Sequence, residues 1–537
     1  FQGSPVTQIN LINKYQTLSS TPMLMGIDGE WGLAMRFPNE TASFPKQMML
    51  GAIKDDKLIY EMGREIGRQC KRAGININFA PSIDVNNNPR NPVIFERSFG
   101  DSPENVAQKG HMLCKAMEEE GILSCAKHFP GHGDSEVDSH LDLPTLNYDL
   151  ERLESLELYP FRRLTTMGVS AMMVGHLNIP KLDPQPNRPA TLSHSIINGL
   201  IRESMSYNGL LITDAMDMKG ITKYFPNGVA EAEAFLAGND IILVPENLPL
   251  AFQKVKEYID SGKISINRLD QSVERILRAK FKAGLGTARN VSSDGINHFL
   301  KRNHIVAIKQ KLTEAAMTLV ADHEGLIPIN ETTNIKIATL SINNVRQTKF
   351  QNRVSDYTDA RHYQLMPSQL ATKYNQMLLT LSQFDQVIVG IHTSGKLSDF
   401  TSDLNTSMIN FLKDLQTNSK VIFVVFGSPY LLKRLDFSHH LFLAYDNDHL
   451  TQDVAAQTLF GVNDINGTLP VHVDDRWPTG FGIQRKNLQR LGYAKPEMVS
   501  MSSDTLNKID SLMAEVLRLK ASPGGQILIA KDNKIVY

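Results

Sequence analysis

The chain has 537 residues and 42% hydrophobic content, enough for more than one globular core, and a domain size of about 150 residues allows two to four domains. Its 56 basic residues offset 57 acidic ones, so there is no net field to draw in nucleic acid or an anionic membrane, and a neutral substrate fits better. Cys70, Cys114 and Cys125 are odd in number and confined to one stretch, which argues against a disulfide framework; no apolar run reaches membrane-spanning length, and the first residues lack a signal-peptide pattern.

Taken in order, Phe1-Gln2-Gly3-Ser4 reads either as the remnant of a tag or as native sequence, since Ser4-Pro5 is a good start for a helix over Val6–Ser19. Apolar runs then predict strands at Pro22–Ile27, Ile75–Ile83, Leu123–His128, Val169–His176, Gly209–Thr213 and Asp240–Pro245. Amphipathic helices are expected between them at Lys54–Ala73, Pro103–Glu120, Asp149–Met167, His194–Met205 and Leu248–Ser261. Continuous apolar strands alternating with helices imply an α/β fold with a parallel, helix-covered sheet, and over residues 1–285 the expected closure is a TIM-type (β/α) barrel.

A barrel of that kind gathers its chemistry at the C-terminal ends of its strands. The expected ends carry Asp28-Gly29-Glu30, Asp84 with Arg97 further on, Lys127-His128, His176 and Asp214. Singly, a strand-end Asp reads more readily as a helix cap than as a catalyst. Five such ends on one face read as a site. The densest stretch is Lys127-His128-Phe129-Pro130-Gly131-His132-Gly133, followed by a loop with Asp138-Ser139-His140 and Asp142. Pro130, Gly131 and Gly133 break regular structure, leaving more acid and base than a connector needs.

Lys-His-Phe-Pro-Gly-His-Gly followed by Asp-Ser-His resembles the signature of glycoside hydrolase family 3 in its β-N-acetylglucosaminidase branch. The resemblance implies a retaining, exo-acting enzyme that cleaves terminal β-linked N-acetylglucosamine from glycans or peptidoglycan fragments. Asp214, in a Thr-Asp-Ala-Met-Asp-Met segment, would be the nucleophile, His140 the acid/base and Asp138 its orienting partner. A helix cap is the plainer role for Asp214, and Asp217 is read as a cap or solvent-facing group. An imidazole titrates near neutrality, so it can both give and take the proton. Asp138 and His140 lie two apart and can meet only if the loop turns. Asp28, Arg97, Lys127 and His128 match the family's sugar contacts. Where bacterial relatives have Asp-Gln-Glu-Gly-Gly, this chain has Asp28-Gly29-Glu30-Trp31-Gly32, with Trp31 read as core filler ahead of a sugar platform. His132 and His176 are read as shaping the loop and barrel top, and neither metal nor cofactor is expected.

The resemblance also implies that the chain enters the barrel after its first strand. Residues 286–300 read as a linker, and 301–485 as a three-layer α/β/α sandwich domain with strands at Ile335–Ile342, Gln386–His392, Lys420–Phe426 and His440–Ala444. Asp446 and Asp448 are its residues to test for an external acid. Residues 500–537 combine an amphipathic helix, Ser502–Lys520, with Pro523–Ala530, which resembles the opening strand of serine β-lactamase-like hydrolases, and then half of a hairpin. The expected partner is a carbohydrate, an N-acetylglucosaminide, without nucleic acid or a membrane-spanning segment. The compartment stays open between extracytoplasmic, which is favoured, and cytoplasmic. A β-glucosidase, an N-acetylglucosaminide phosphorylase and a non-catalytic glycan-binding module are the alternatives.

Overall fold

The computed structural model describes residues 3–286, 290–393 and 404–537, so Phe1, Gln2 and residues 287–289 of the expected linker lie outside the described residues. The chain divides into two compact units, Phe1–Gly51 with Asp56–Lys301, and Ala52–Asp55 with Arg302–Tyr537.

The first unit is built on a five-stranded sheet in chain order: β1 (Gly26–Ile27), β2 (Ile77–Asn78), β3 (Leu123–Phe129), β4 (Ala171–Val174) and β5 (Leu210–Thr213). Every pairing is parallel. Alternate residues of the strands, Leu123 and Cys125, Ala171 and Met173, Leu210 and Ile212, form one buried cluster with Ala279 of the helix Ile266–Lys282. Their neighbours Ala126, Met172 and Val174 are buried as well, so the strands are apolar on both faces, which is why they read as continuous runs. Several of the helices start where side-chain acceptors meet free N–H groups. Ser102 accepts from Asn105 ahead of Pro103–Glu119, Asp149 from Arg152, and Ser265 from Arg268.

Several expected elements are shorter than the sequence implies, among them Val169–His176, a strand only at Ala171–Val174. Pro22–Ile27 pairs only at Gly26–Ile27, and Ile75–Ile83 only at Ile77–Asn78, with one further bridge from Ser82 to Lys127, because Pro81 between them has no N–H to donate. Asp240–Pro245 is reduced to a single bridge, Ile241 to Ile212, because Val244 turns to a φ of +45° and ends the extended run. The helix expected over Asp149–Met167 is broken into Leu150–Ser155 and Leu158–Thr166.

The second unit carries a six-stranded sheet: β6 (Thr318–Asp322), β7 (Ile337–Ile342), β8 (Ala360–Leu365), β9 (Gln386–His392), β10 (Lys420–Phe426) and β11 (His440–Leu443), in the order β6-β11-β10-β9-β7-β8. All pairs are parallel except β6 with β11. The sequence pattern had shown four of these. β8 exposes Arg361 and half-exposes the residues after it at an edge, which masks it. Beyond lie the helices Ser503–Leu506 and Lys508–Arg518, interrupted at Asn507, and a small sheet of β12 (Gly492–Tyr493), β13 (Ala530–Lys531) and β14 (Lys534–Ile535). The expected half-hairpin is a closed one: Asp532 and Asn533 both take positive φ, +49° and +58°, the geometry of a two-residue turn that joins β13 to β14.

Candidate active site

The C-terminal end of β3 is irregular. Cys125 and Ala126 pair with Ala171 and Met172, but the next partner of β4 is Phe129, so Lys127 and His128 together face one residue of the neighbouring strand. Such a bulge re-aims side chains locally. It sets Lys127 and His128 into one polar network.

Lys127 Nζ lies 3.0 Å from Asp28 Oδ1 and 3.0 Å from Glu30 Oε1, and its burial, which would depress the ammonium, is outweighed by these two carboxylates, so its pKa is raised. Asp28 is also bound by Arg36 at 2.5 Å. Glu30 is sealed from solvent and gripped by the Arg97 fork, Nε at 3.1 Å and Nη2 at 2.8 Å. Burial opposes its ionisation, but Arg97 and Lys127 hold its carboxyl far below the usual range. Arg97 Nη2 is 3.3 Å from His128 Nε2. A guanidinium can only donate, so Nε2 accepts, and Nδ1–H donates to Asp84 Oδ2 at 2.8 Å.

Asp84 is the hub beneath the site. Besides the His128 ring it accepts the backbone N–H groups of His128, at 3.2 Å, and His132, at 2.7 Å, and the Ser82 hydroxyl at 2.8 Å. Against the effect of burial, these donors hold it well below the ordinary carboxylate range. Burial lowers the pKa of the His132 imidazole to about 4, so it stays neutral, and its Nε2 meets Ser139 Oγ at 3.1 Å. Contacts therefore run without a break from Asp28 to the loop that carries Asp138 and His140.

The base of that loop is tied to the residues after β2. Asn91 Nδ2 donates to the carbonyls of His132, at 2.7 Å, and Gly133, at 3.0 Å, and Asp134 accepts from Asn87 at 3.0 Å and Tyr148 at 2.7 Å. Gly133 has no substitute here, since a Cβ would fall 1.7 Å from the Val85 carbonyl oxygen. The loop turns at Asp138, whose carbonyl accepts from Leu141 and Asp142, and the turn brings His140 Nδ1 to 2.7 Å from Asp138 Oδ1. His140 is 62% exposed, open to an incoming ligand.

Asp214 follows β5. Its backbone N–H is bound by Val174, and its Oδ1 accepts from Ala215 at 2.8 Å. It is half-buried, yet the surrounding groups, the Ala215 N–H and the Lys127 ammonium among them, outweigh desolvation and lower its pKa. The next helix begins at Lys219, so Asp214 is not its cap; Asp217 faces solvent. His176 is fully buried, with Nε2 on the Ala215 carbonyl at 2.9 Å and Nδ1 on Thr191 at 2.8 Å, and it braces the Asp214 turn.

The structure thus brings Asp28, Arg97, Lys127 and His128 into one network, pairs Asp138 with His140, and sets Asp214 in the field of Lys127. Arg97 is paired with Glu30, not with Asp28. Glu30, Arg36 and Asp84 were not assigned roles from sequence; the signal available was Asp28-x-Glu30 opposite two cations. Trp31 is half-buried rather than core, with Lys46 Nζ 5.9 Å from its ring centre. Among the described residues no group of three or more His, Cys, Asp or Glu is arranged to hold a metal ion, and no helix is long and apolar enough to cross a membrane.

Residues 2–279 match the family described as Glycosyl hydrolase family 3 N terminal domain. Among curated proteins, beta-hexosaminidase A of Pseudoalteromonas piscicida is 33% identical over 60% of this chain and 57% of its own length. A beta-N-acetylglucosaminidase/beta-glucosidase of Cellulomonas fimi is 29% identical over 59% of this chain and 58% of its own. The chain thus spans somewhat over half the length of these two relatives. Among solved structures, a family 3 beta-N-acetylglucosaminidase from Paenibacillus sp. str. FPU-7 superposes with a TM-score of 0.73 at 29% identity, over 88% of this chain and 91% of that one.

Proposed function

The chain belongs to glycosyl hydrolase family 3, and from that premise we propose that it is a retaining, exo-acting β-N-acetylglucosaminidase that removes terminal β-linked N-acetylglucosamine from glycans or peptidoglycan fragments. The observation that carries this reading is the 2.7 Å pairing of His140 Nδ1 with Asp138, on a loop whose Ser139 carbonyl accepts from Gly220 N–H in the segment after Asp214. Names of relatives lend support: the three above are called hexosaminidase or N-acetylglucosaminidase, one of them also beta-glucosidase.

In this mechanism the Asp214 carboxylate, kept ionised by its neighbours, attacks the anomeric carbon and the bond to the leaving oxygen breaks as His140 Nε2 delivers a proton to it. Asp138 holds the Nδ1–H tautomer and stabilises the imidazolium, as a carboxylate does in a hydrolytic triad. Water, deprotonated by the now neutral His140, then releases the sugar from Asp214 and the carboxylate is restored. Asp28, with Arg97, Lys127 and His128, holds the ring hydroxyls; charge-assisted hydrogen bonds from such groups suit vicinal hydroxyls. The five-stranded sheet is taken as the greater part of a TIM-type barrel, residues 301–485 as the α/β/α sandwich, and residues 500–537 as the start of a β-lactamase-like domain.

Release of p-nitrophenol from the N-acetyl-β-glucosaminide tests the reading. Asp214→Ala should lower it by roughly 10⁴-fold or more, the scale on which loss of a covalent nucleophile acts. Equal turnover with and without that carboxylate would refute the mechanism. A panel of aryl glycosides, run with and without phosphate, separates this activity from β-glucosidase and phosphorylase alternatives, and absence of turnover on all of them would leave a glycan-binding module.

A further inference from the structure

We infer that Asp142, held by Lys223 and Tyr224, is a positioning group that sets the Asp138–His140 pair over the sugar site; the inference rests on the acid/base reading of His140 given above. The turn from Asp138 to Leu143 has its apolar anchor only at the end, where Leu143 is 8% exposed; Leu141 is 71% exposed, and Val137 just before the turn 41%. Polar ties must therefore fix the part between, where His140 sits. On one side His132 meets Ser139 at 3.1 Å. On the other the Asp142 carboxylate binds Lys223 Nζ at 2.6 Å through Oδ2 and the Tyr224 hydroxyl at 2.7 Å through Oδ1, which also accepts Leu143 N–H at 2.9 Å. Gly220 N–H donates to the Ser139 carbonyl at 3.1 Å, and a Cβ at Gly220 would stand 3.0 Å from that oxygen and 3.3 Å from the Asp142 carbonyl, so the turn rests directly on this segment.

Lys223 and Tyr224 follow the short helix Lys219–Thr222, in the segment that begins at Asp214. The clamp therefore refers His140 to the same stretch of backbone that carries the nucleophile. Hydrogen bonds from Lys223 and Tyr224 bring the Asp142 carboxyl down to about 2, so it is ionised wherever the imidazole works. An exposed ion pair adds little to folding. Its effect falls on the placement of His140, and a misplacement of about 1 Å can cost as much as a hundredfold in rate.

The test compares kcat/KM on an unactivated N-acetylglucosamine disaccharide with that on the dinitrophenyl N-acetylglucosaminide, whose leaving group needs no proton. His140→Ala is the reference. Asp142→Asn and Lys223→Met should each lower the disaccharide value roughly tenfold more than the aryl value, within the range that general acid catalysis supplies. Lys223→Arg should restore most of the loss, thermal midpoints should stay close to the parent, and Asp142→Asn should add nothing further in a His140→Ala background. Parallel losses on both substrates, unchanged activity, or full additivity with His140→Ala would each overturn the inference. If His140→Ala itself treats the two substrates alike, the acid/base reading falls and this inference with it; if His140→Ala separates them and Asp142→Asn does not, only the inference falls.

Discussion

Glu30 sits between two cations with no solvent to share them, and that is a costly place for a carboxylate unless both partners stay. Glu30→Gln keeps the shape but removes the carboxylate bound to the Arg97 fork; it should destabilise the first unit toward the lower end of about 3–5 kcal/mol, because Lys127 keeps Asp28 and Asp84 and Asp214 still act on Arg97, and denaturant titration reads this directly. His132 supplies a pH prediction. Its pKa falls from an unfolded value of 6.5 to about 4 in the folded chain, so below pH 6.5 the unfolded state binds the proton first. Stability should therefore drop as pH falls from about 6.5 to about 4, by on the order of 3 kcal/mol from this one ring. Urea midpoints at pH 7.5 and 5 check it, and His132→Gln, which keeps a donor for Ser139, should flatten the dependence. Sequence alone singled out Asp28 and Arg97 but coupled them to a ligand only; that Arg97 instead spends its fork on Glu30 depends on how two distant loops meet, which no local pattern encodes.

At the scale of elements, the strands of the first unit were legible because both faces are buried, and their limits were not, because Pro81 and the turned Val244 cut pairing short inside apolar runs. The loop after β3 was legible as a break, through Pro130, Gly131 and Gly133, whereas its course was not. Only the folded chain brings Asn87 and Asn91 to its base and His132 to Ser139. Because a Cβ at residue 133 cannot coexist with the Val85 carbonyl, Gly133→Ala should lift the loop base. The expected outcome is a loss of at least roughly a hundredfold in kcat/KM on unactivated substrates, with protease cleavage newly appearing between residues 133 and 143 while far-ultraviolet dichroism is retained.

For the whole molecule, alternation of strand and helix disclosed two α/β units, but the edge strands β6 and β8 escaped, one antiparallel and one half-exposed. Asp448, a candidate for an external acid, is occupied: it caps the helix His449–Leu459 by accepting from Leu450 and Thr451 and lies 3.0 Å from Lys309 Nζ. Asp448→Ala should thus cost the second unit about 1–2 kcal/mol, seen in its melting, and leave glycoside cleavage at the parent rate. An activity loss that outruns the melting shift would restore the external-acid alternative. The three thiols have a practical consequence. Cys70, Cys114 and Cys125 are all reduced, all enclosed and all in the first unit, and burial pushes Cys70 up to about 12. A thiol reagent such as a chromogenic disulfide must then wait for that unit to open before it can react, so labelling rate becomes an intrinsic clock for its breathing, silent to anything that happens after Arg302, with no probe engineered in.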